Sequence, residues 1–305
     1  WSKTTWNVGF EYRPIDTTMI YGRISTGHRA GGFLGYGTSQ APFSYDGEEM
    51  TNYETGVKGL YFDGRVQLAT SVFYQDFDKY WVYTSRLKTQ AEQQIDPNSG
   101  PLTGEVTSIT GTKIYGVEVE GAWRITDSLS LRGFYNYLHT SVGDFPALYQ
   151  YEIPGQAGNW VALPWTNSAG VAQTSWIFGS PDPVQFGGKQ LPNQPTHKGS
   201  LTLAYDVPMP ADMGRLEVLT IADYRGKKYV ELLNVESYAV DPYTRWDMRV
   251  NWTSPTSTWL VTGYVQNLLN QAALHLWSPR EGTGSPWGTI VEPREIGISV
   301  TWQNL

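Results

Sequence analysis

The sequence predicts an all-β chain, a transmembrane antiparallel β-barrel wall, and three observations predict it. Strand-like runs switch polarity at every residue, as a sheet with one apolar and one polar face requires. Their connections alternate five times between short turns and long loops, which is how a barrel lies in an outer membrane, tight turns at one rim and wide loops at the other. Aromatic residues gather near the ends of the runs, where an amphipathic ring is best placed between headgroup and hydrocarbon.

Eleven candidate strands follow in order: 5–12, 18–26, 51–62, 65–83, 108–125, 129–140, 198–207, 215–229, 242–253, 258–270 and 293–302. In the first, Trp6, Val8, Phe10 and Tyr12 oppose Asn7, Gly9, Glu11 and Arg13, and Arg13-Pro14-Ile15-Asp16-Thr17 supplies the turn to the second. Asp63-Gly64 joins the third to the fourth and reads as a two-residue hairpin loop, because that pair accepts positive φ. In the fifth, Tyr115, Val117, Val119 and Trp123 oppose Gly116, Glu118, Glu120 and Arg124, and Thr126-Asp127-Ser128 turns the chain into the sixth. The stretch 208–214 and the run Ser254-Pro255-Thr256-Ser257 make the last two tight turns, in residues that favour turn geometry. Trp246, Met248, Val250 and Trp252 oppose Asp247, Arg249 and Asn251, and in the final strand Ile296, Ile298, Val300 and Trp302 oppose Glu295, Gly297, Ser299 and Thr301. Trp6, Tyr12, Trp123, Tyr135, Tyr137, Trp246, Trp252, Trp259 and Trp302 are the expected interfacial girdles. Glu54, Lys58, Glu118, Glu120, Arg124, Arg132, Asp247 and Arg249 are expected to face the lumen, pairing with one another and with a polar plug or lining a translocation path.

The wide connections are 28–49, 85–107, 141–196, 230–241 and 271–292. Loops beyond ~15 residues without periodicity are usually functional or disordered. They carry aromatics suited to stacking on a ligand: Phe33, Tyr36, Phe43 and Tyr45 in the first, Tyr149, Tyr151, Trp160, Trp165, Trp176 and Phe178 in the third, Trp277 and Trp287 in the last. Arg29, Arg86, Lys88 and Arg280 can meet acidic groups. The loops 141–196 and 271–292 are the preferred ligand contacts, against the plainer alternative that these rings pack the loops on each other. Positive charges are few in the loops beside acids such as Asp46, Glu48, Glu49, Asp144, Glu152, Glu231 and Glu236, so a strongly anionic ligand is not clearly favoured and a neutral or zwitterionic chelate or a glycan stays open.

Much else is excluded. No run of ~18 apolar residues occurs, so no transmembrane helix is expected. The chain has no Cys, which removes disulfides and thiolate metal sites. A net charge of -7 argues against nucleic acid, whose binding rests on phosphate neutralisation. His28, His139, His197 and His275 have no paired spacing, so no metal ligation is expected. No Walker-type loop, dinucleotide fingerprint, nucleophile elbow or zincin run is present. Glu118 and Glu120 lie side by side on one face and leave no place for a sugar between them. No enzymatic activity and no cofactor are expected.

The residues also carry a resemblance. The segment Tyr21-Gly22-Arg23-Ile24-Ser25-Thr26-Gly27-His28-Arg29-Ala30-Gly31-Gly32-Phe33 resembles the "Y-x-x-x-S-x-G-[FY]-[KR]-A-G-G-F" passage of TonB-dependent outer-membrane receptors of the ferric-siderophore type. Asn52-Tyr53-Glu54-Thr55-Gly56-Val57-Lys58-Gly59, then Asp63-Gly64-Arg65-Val66 and Ser71-Val72-Phe73-Tyr74-Gln75-Asp76-Phe77 are similar to that family's "YExGxKG", "DGR" and "FYxxxY/F" succession. Gly116-Val117-Glu118-Val119-Glu120 resembles its "GxExE" strand, and Val265-Gln266-Asn267-Leu268-Leu269-Asn270 its "VxNLxD/N" strand. Gly31 and Gly32 are read as a sharp backbone turn where a strand leaves the rim.

The resemblance implies that residues 1–305 are the C-terminal half of a barrel of ~22 strands, a size whose lumen holds a plug. The family's plug, with the TonB box that TonB grips, and its first strands are not found here, and the chain reads as a mature fragment. The chain runs past Trp302 through Gln303 and Asn304 to Leu305, where the family usually closes on a terminal aromatic. The implied function is import of a scarce nutrient, most of all a ferric-siderophore complex, through loop capture and plug movement energised by the TonB-ExbB-ExbD system. The implied surroundings are outer-membrane lipid. A receptor for glycan or cobalamin, or a surface glycan-binding β protein without transport, are the alternatives.

Overall fold

The computed structural model describes residues 2–34, 43–95, 97–98, 100–149, 160–178, 183–278 and 287–303. In chain order its strands are β1 (Asn7–Ile15), β2 (Thr18–Arg29), β3 (Gly32–Leu34), β4 (Phe43–Tyr45), β5 (Glu48–Tyr61), β6 (Val66–Leu87), β7 (Leu102–Ile109), β8 (Thr112–Arg124), β9 (Leu129–Ser141) and β10 (Pro146–Ala147). They continue as β11 (Trp160–Thr166), β12 (Ala172–Phe178), β13 (Val184–Gln185), β14 (His197–Val207), β15 (Arg215–Arg225), β16 (Tyr243–Thr253), β17 (Trp259–Gln266), β18 (Leu274–Ser278), β19 (Trp287–Ile290) and β20 (Glu295–Trp302). The wall is one antiparallel sheet in the order β1-β2-β5-β6-β8-β9-β14-β15-β16-β17-β20, with β7 paired to the far half of β6. The eleven strands expected from polarity are the eleven on this path.

Register sorts side chains into two faces, because residues directly opposite in an antiparallel pair point the same way. One row runs Tyr21, Gly56, Ser71, Glu118, Asn136, Lys198, Arg225, Tyr243 across eight strands. The next runs Met19, Lys58, Ala69, Glu120, Phe134, Ser200, Asp223, Arg245. On the opposite face a row reads Val66, Trp123, Leu131, Leu203, Thr220, Met248, Val265, Ile296. Trp246, Met248, Val250 and Trp252 share that apolar face, while Asp247 and Arg249 share the polar one.

The apolar face has aromatic borders. Toward the long loops Tyr53, Tyr74, Tyr115 and His139 stand side by side, with ring centroids 6.3, 6.5 and 4.7 Å apart. One step farther out the same face turns polar at Thr51, Asp76, Lys113 and Ser141. Toward the short turns stand Trp252, Trp259 and Trp302, the last two paired across β17 and β20. Such a band between ring borders suits hydrocarbon.

Several connections differ from the sequence expectation. The β5–β6 turn spans four residues, 62–65, and Phe62, Asp63 and Gly64 all have positive φ (53, 57 and 78°), with the Arg65 N–H closing on the Phe62 carbonyl at 3.0 Å. Its Asp-Gly pair is left-handed as expected, but Phe62 also leaves the ladder and lengthens the turn. The run 108–125 is broken at Gly111 (φ 77°), which separates β7 from β8. The 85–107 stretch is therefore no plain loop: β6 continues beyond the wall, pairs with β7, and carries helix α1 (Gln90–Ile95) at its tip. Thr89 and Glu92 cap that helix reciprocally, Glu92 N–H to Thr89 Oγ1 at 3.3 Å and Thr89 N–H to Glu92 Oε2 at 2.7 Å. Gly31 and Gly32 are absent from the left-handed residues. Gly31 is needed for close approach instead, since a Cβ there would run into the Tyr45 carbonyl across the β3–β4 hairpin.

Above the wall lies a loop layer with its own core. Val82, Ile109, Val142, Phe145, Tyr149, Phe186 and Leu191 form one buried cluster, flanked by Leu232, Leu233 and Val235 from the β15–β16 connection. Phe145 and Phe186 stack at 5.1 Å. Polar clasps tie the cluster to the wall, with Gly143 N–H donating to Thr112 Oγ1 (3.1 Å) and Leu191 N–H to Thr140 Oγ1 (2.9 Å).

Candidate ligand-binding face

Of the residues expected at a ligand, those among the described residues are dispersed over the rim of the wall and the loop layer. Arg29, at the end of β2, is held by Glu48 at 2.8 Å and lies 3.7 Å over the Trp81 ring, so its charge and one face are engaged within the wall. Phe33, on the β3–β4 hairpin, is exposed. Tyr149 is buried in the loop core beside Glu231, a scaffold position rather than a contact surface. Trp160 begins β11, and Trp165 on that strand donates its indole N–H to Ser175 Oγ of β12 at 3.1 Å. On the opposite face of this hairpin Trp176 is exposed, paired with Ala162. Trp277 is half-buried on β18 against Gly288, and Trp287 on β19 is exposed. Tyr36, Tyr151 and Arg280 lie outside the described residues.

Arg86, expected as a free loop cation, is committed to its own hairpin. It bonds both carboxylate oxygens of Glu92 (2.7 and 2.6 Å) and Glu105 (2.8 Å). The Arg86 hydrogen bonds, with the Thr89 cap behind them, pull the Glu92 carboxyl down to about 2.

The register places Glu54, Lys58, Glu118, Glu120, Arg124, Arg132, Asp247 and Arg249 on the polar face. Glu54 accepts from Tyr21 Oη at 2.8 Å and from the Arg23 guanidinium, and Lys58 sits 5.4 Å over the Tyr21 ring. Asp247 is buried, taking Arg245 at 2.9 Å and the Asn267 N–H at 2.9 Å. Asn267 then fastens the root of the last loop, its amide donating to the carbonyls of Gln271 (3.0 Å) and Glu292 (2.8 Å). Lys58, Glu118, Glu120 and Arg132 line a concavity of ≈ 870 Å³ on this face, together with Phe134 and Asn136.

A second concavity escaped the sequence reading. At the long-loop rim of the polar face, beneath the β18–β19 hairpin, Lys198, Arg225, Tyr243, Arg245, Asp223, His275 and Glu292 surround ≈ 550 Å³. Tyr243 Oη and His275 Nδ1 are 3.1 Å apart. Only the pairing of β14, β15 and β16, and the folding of the last loop over them, unites these residues.

A fold of this kind, with one apolar band, one charged face and all long loops at one end, has a sequence counterpart. The family described as TonB dependent receptor-like, beta-barrel matches residues 1–268. The chain belongs to this TonB-dependent receptor family. Its sheet is the receptor barrel in part, and solved receptor structures superpose on it. The ferric yersiniabactin uptake receptor FyuA from Yersinia pestis covers 96% of this chain at 16% identity and TM-score 0.67, with 36% of that receptor matched. The siderophore receptor PiuA from Acinetobacter baumannii covers 97% at 19% identity and TM-score 0.61, with 35% matched. BauA, the ferric preacinetobactin receptor from the same species, covers 98% at 16% identity and TM-score 0.61, with 36% matched. This chain thus spans about a third of the length of these receptors. No curated protein matches it significantly in sequence.

Proposed function

We propose that this chain is the C-terminal part of the barrel wall of an outer-membrane receptor that imports a scarce nutrient, a ferric-siderophore complex above all. The observation that carries this reading is the division of labour in one sheet: an apolar band with aromatic borders for lipid, a charged face for a polar lumen, and loops gathered at one end. Membership of the TonB-dependent receptor family and likeness to receptors for ferric chelates support it. On this reading the short turns face the periplasm and the loops face outward. The rest of the receptor supplies the plug, and the TonB-ExbB-ExbD system supplies the energy.

The exposed aromatics then take the ligand: Phe33, Trp176 and Trp287, with the β11–β12 hairpin as the main contact. Removing 160–178 from the full receptor leaves the loop-core residues 142–149 and 183–191 in place. Uptake of radioiron from citrate, catecholate and hydroxamate chelates, with and without TonB, is the test. The expected result is TonB-dependent uptake of at least one chelate, lost on deletion while the barrel stays heat-modifiable. TonB-independent uptake, or none from any chelate under iron limitation, overturns the reading.

A further inference from the structure

The rim concavity beneath the last loop has a chemical character that the individual loops lack. Among the described residues neither Lys198, nor Arg225, nor Lys228 has a carboxylate within salt-bridge distance. Lys198 and Arg225 are directly opposite each other on β14 and β15, so two cations share one row of the polar face. Arg245, one row below, is occupied by Asp247. The carboxylates facing the cavity are Asp223 and Glu292. Neither bonds Lys198 or Arg225, although Asp223 is two residues from Arg225 on the same face.

Cations so placed repel one another. Burial and then the neighbouring Arg225 push the Lys228 ammonium below its usual range, and burial, Arg225 and Lys228 do the same to the His275 imidazole. Within this stretch of wall an anion seated between the two cations relieves that repulsion. The planar fork of Arg225 matches a carboxylate, while Lys198 contributes a point charge that sits 5.9 Å over the Phe134 ring. The cavity, at ≈ 550 Å³, falls within the ordinary range for small-molecule sites.

We infer that Lys198 and Arg225, with Tyr243 and His275 above them, form a binding site for the carboxylate groups of a polycarboxylate ligand at the loop-side rim of the lumen wall. This deepens the import reading and rests on it for the ligand's role, though not for the site's existence. The balance of loop charges, which does not clearly favour an anionic ligand, leaves out the cations carried by strand ends.

The test is a citrate titration of the full receptor in detergent at low ionic strength, followed by histidine NMR, with the His275 resonance identified by its loss in His275→Gln. Citrate is expected to raise the His275 pKa toward the ordinary imidazole value. Arg225→Gln and Lys198→Gln each raise the half-saturating citrate concentration roughly tenfold, the effect of one charged hydrogen bond, and Arg225→Lys recovers only part of the loss, because an ammonium keeps the charge without the fork. A folded receptor whose His275 titration citrate does not move overturns the site, as does an Arg225→Gln variant that responds like the parent. Radioiron uptake separates the two readings: citrate binding without uptake of any chelate leaves the site standing and the import reading fallen, and uptake without citrate binding does the reverse.

Discussion

The wall and the loop layer of this molecule are built by opposite rules. Every buried apolar side chain among the described residues, from Val82 and Ile109 through Val142 and Phe186 to Tyr238, Val240 and Val291, belongs to the loop layer. The wall contributes buried residues too, but they are polar: Asn52, Thr112, Thr140 and Asp247. Its large apolar groups are turned outward, Leu201 at 54% and Ile296 and Ile298 at 73% exposure. The loop layer folds as a water-soluble protein does, by removing apolar area from water. The wall is held by its hydrogen-bonded ladder, and on the import reading a surrounding hydrocarbon phase makes its outer face favourable.

This contrast can be broken most sharply in the loop core. Phe186→Ala is expected to cost ~3–5 kcal/mol, all of it in the loop layer: proteolysis should open the segments around 142–149 and 183–191, while the wall keeps its gel shift on heating. Loss of the heat-modifiable band would show that the two regions fold as one.

The converse change is Leu201→Arg, which places a charge at the middle of the apolar face, where Leu201 lies between Gly133 and Ala222. If hydrocarbon covers that face, folding into lipid vesicles weakens by ~2–4 kcal/mol, with little effect on loop protection. A variant that folds as the parent does would mean that water, not lipid, meets this surface.

The smallest expected effect sharpens the comparison by pH. Glu231 is buried in the loop layer and accepts the Leu233 and Val235 N–H groups at 2.5 and 2.6 Å, yet burial outweighs these bonds and raises its carboxyl above the ordinary range. Because the folded value lies above the unfolded one, ~4.3, its contribution is full below that pH and is lost as pH rises through the folded value. Amide protection at Leu233 and Val235 should therefore strengthen on acidification across this window, and Glu231→Gln should flatten the dependence. An unchanged slope in that variant would assign the effect to another group. The wall strands should show no such trend.

The site was less legible than the fold. The T-x-x-E signature at Thr89 and Glu92 lay in the sequence and would have revealed helix α1. Tyr149 reads as a ligand ring from its loop position, because nothing local says that Phe186, some way along the chain, will bury it. Arg86 reads as a free cation for the same reason, its partner Glu105 coming from the next strand.

By itself the sequence determined the eleven strands of the wall, their two faces, the alternation of tight and wide connections and the family, because each is written in neighbouring residues and a strand repeats every two. Only the tertiary structure decided which side chains meet. Lys198, Arg225, Tyr243 and His275 come from four different elements, and what joins them is lateral register and the fold of a loop across the rim, both set by contacts between segments that local periodicity does not encode.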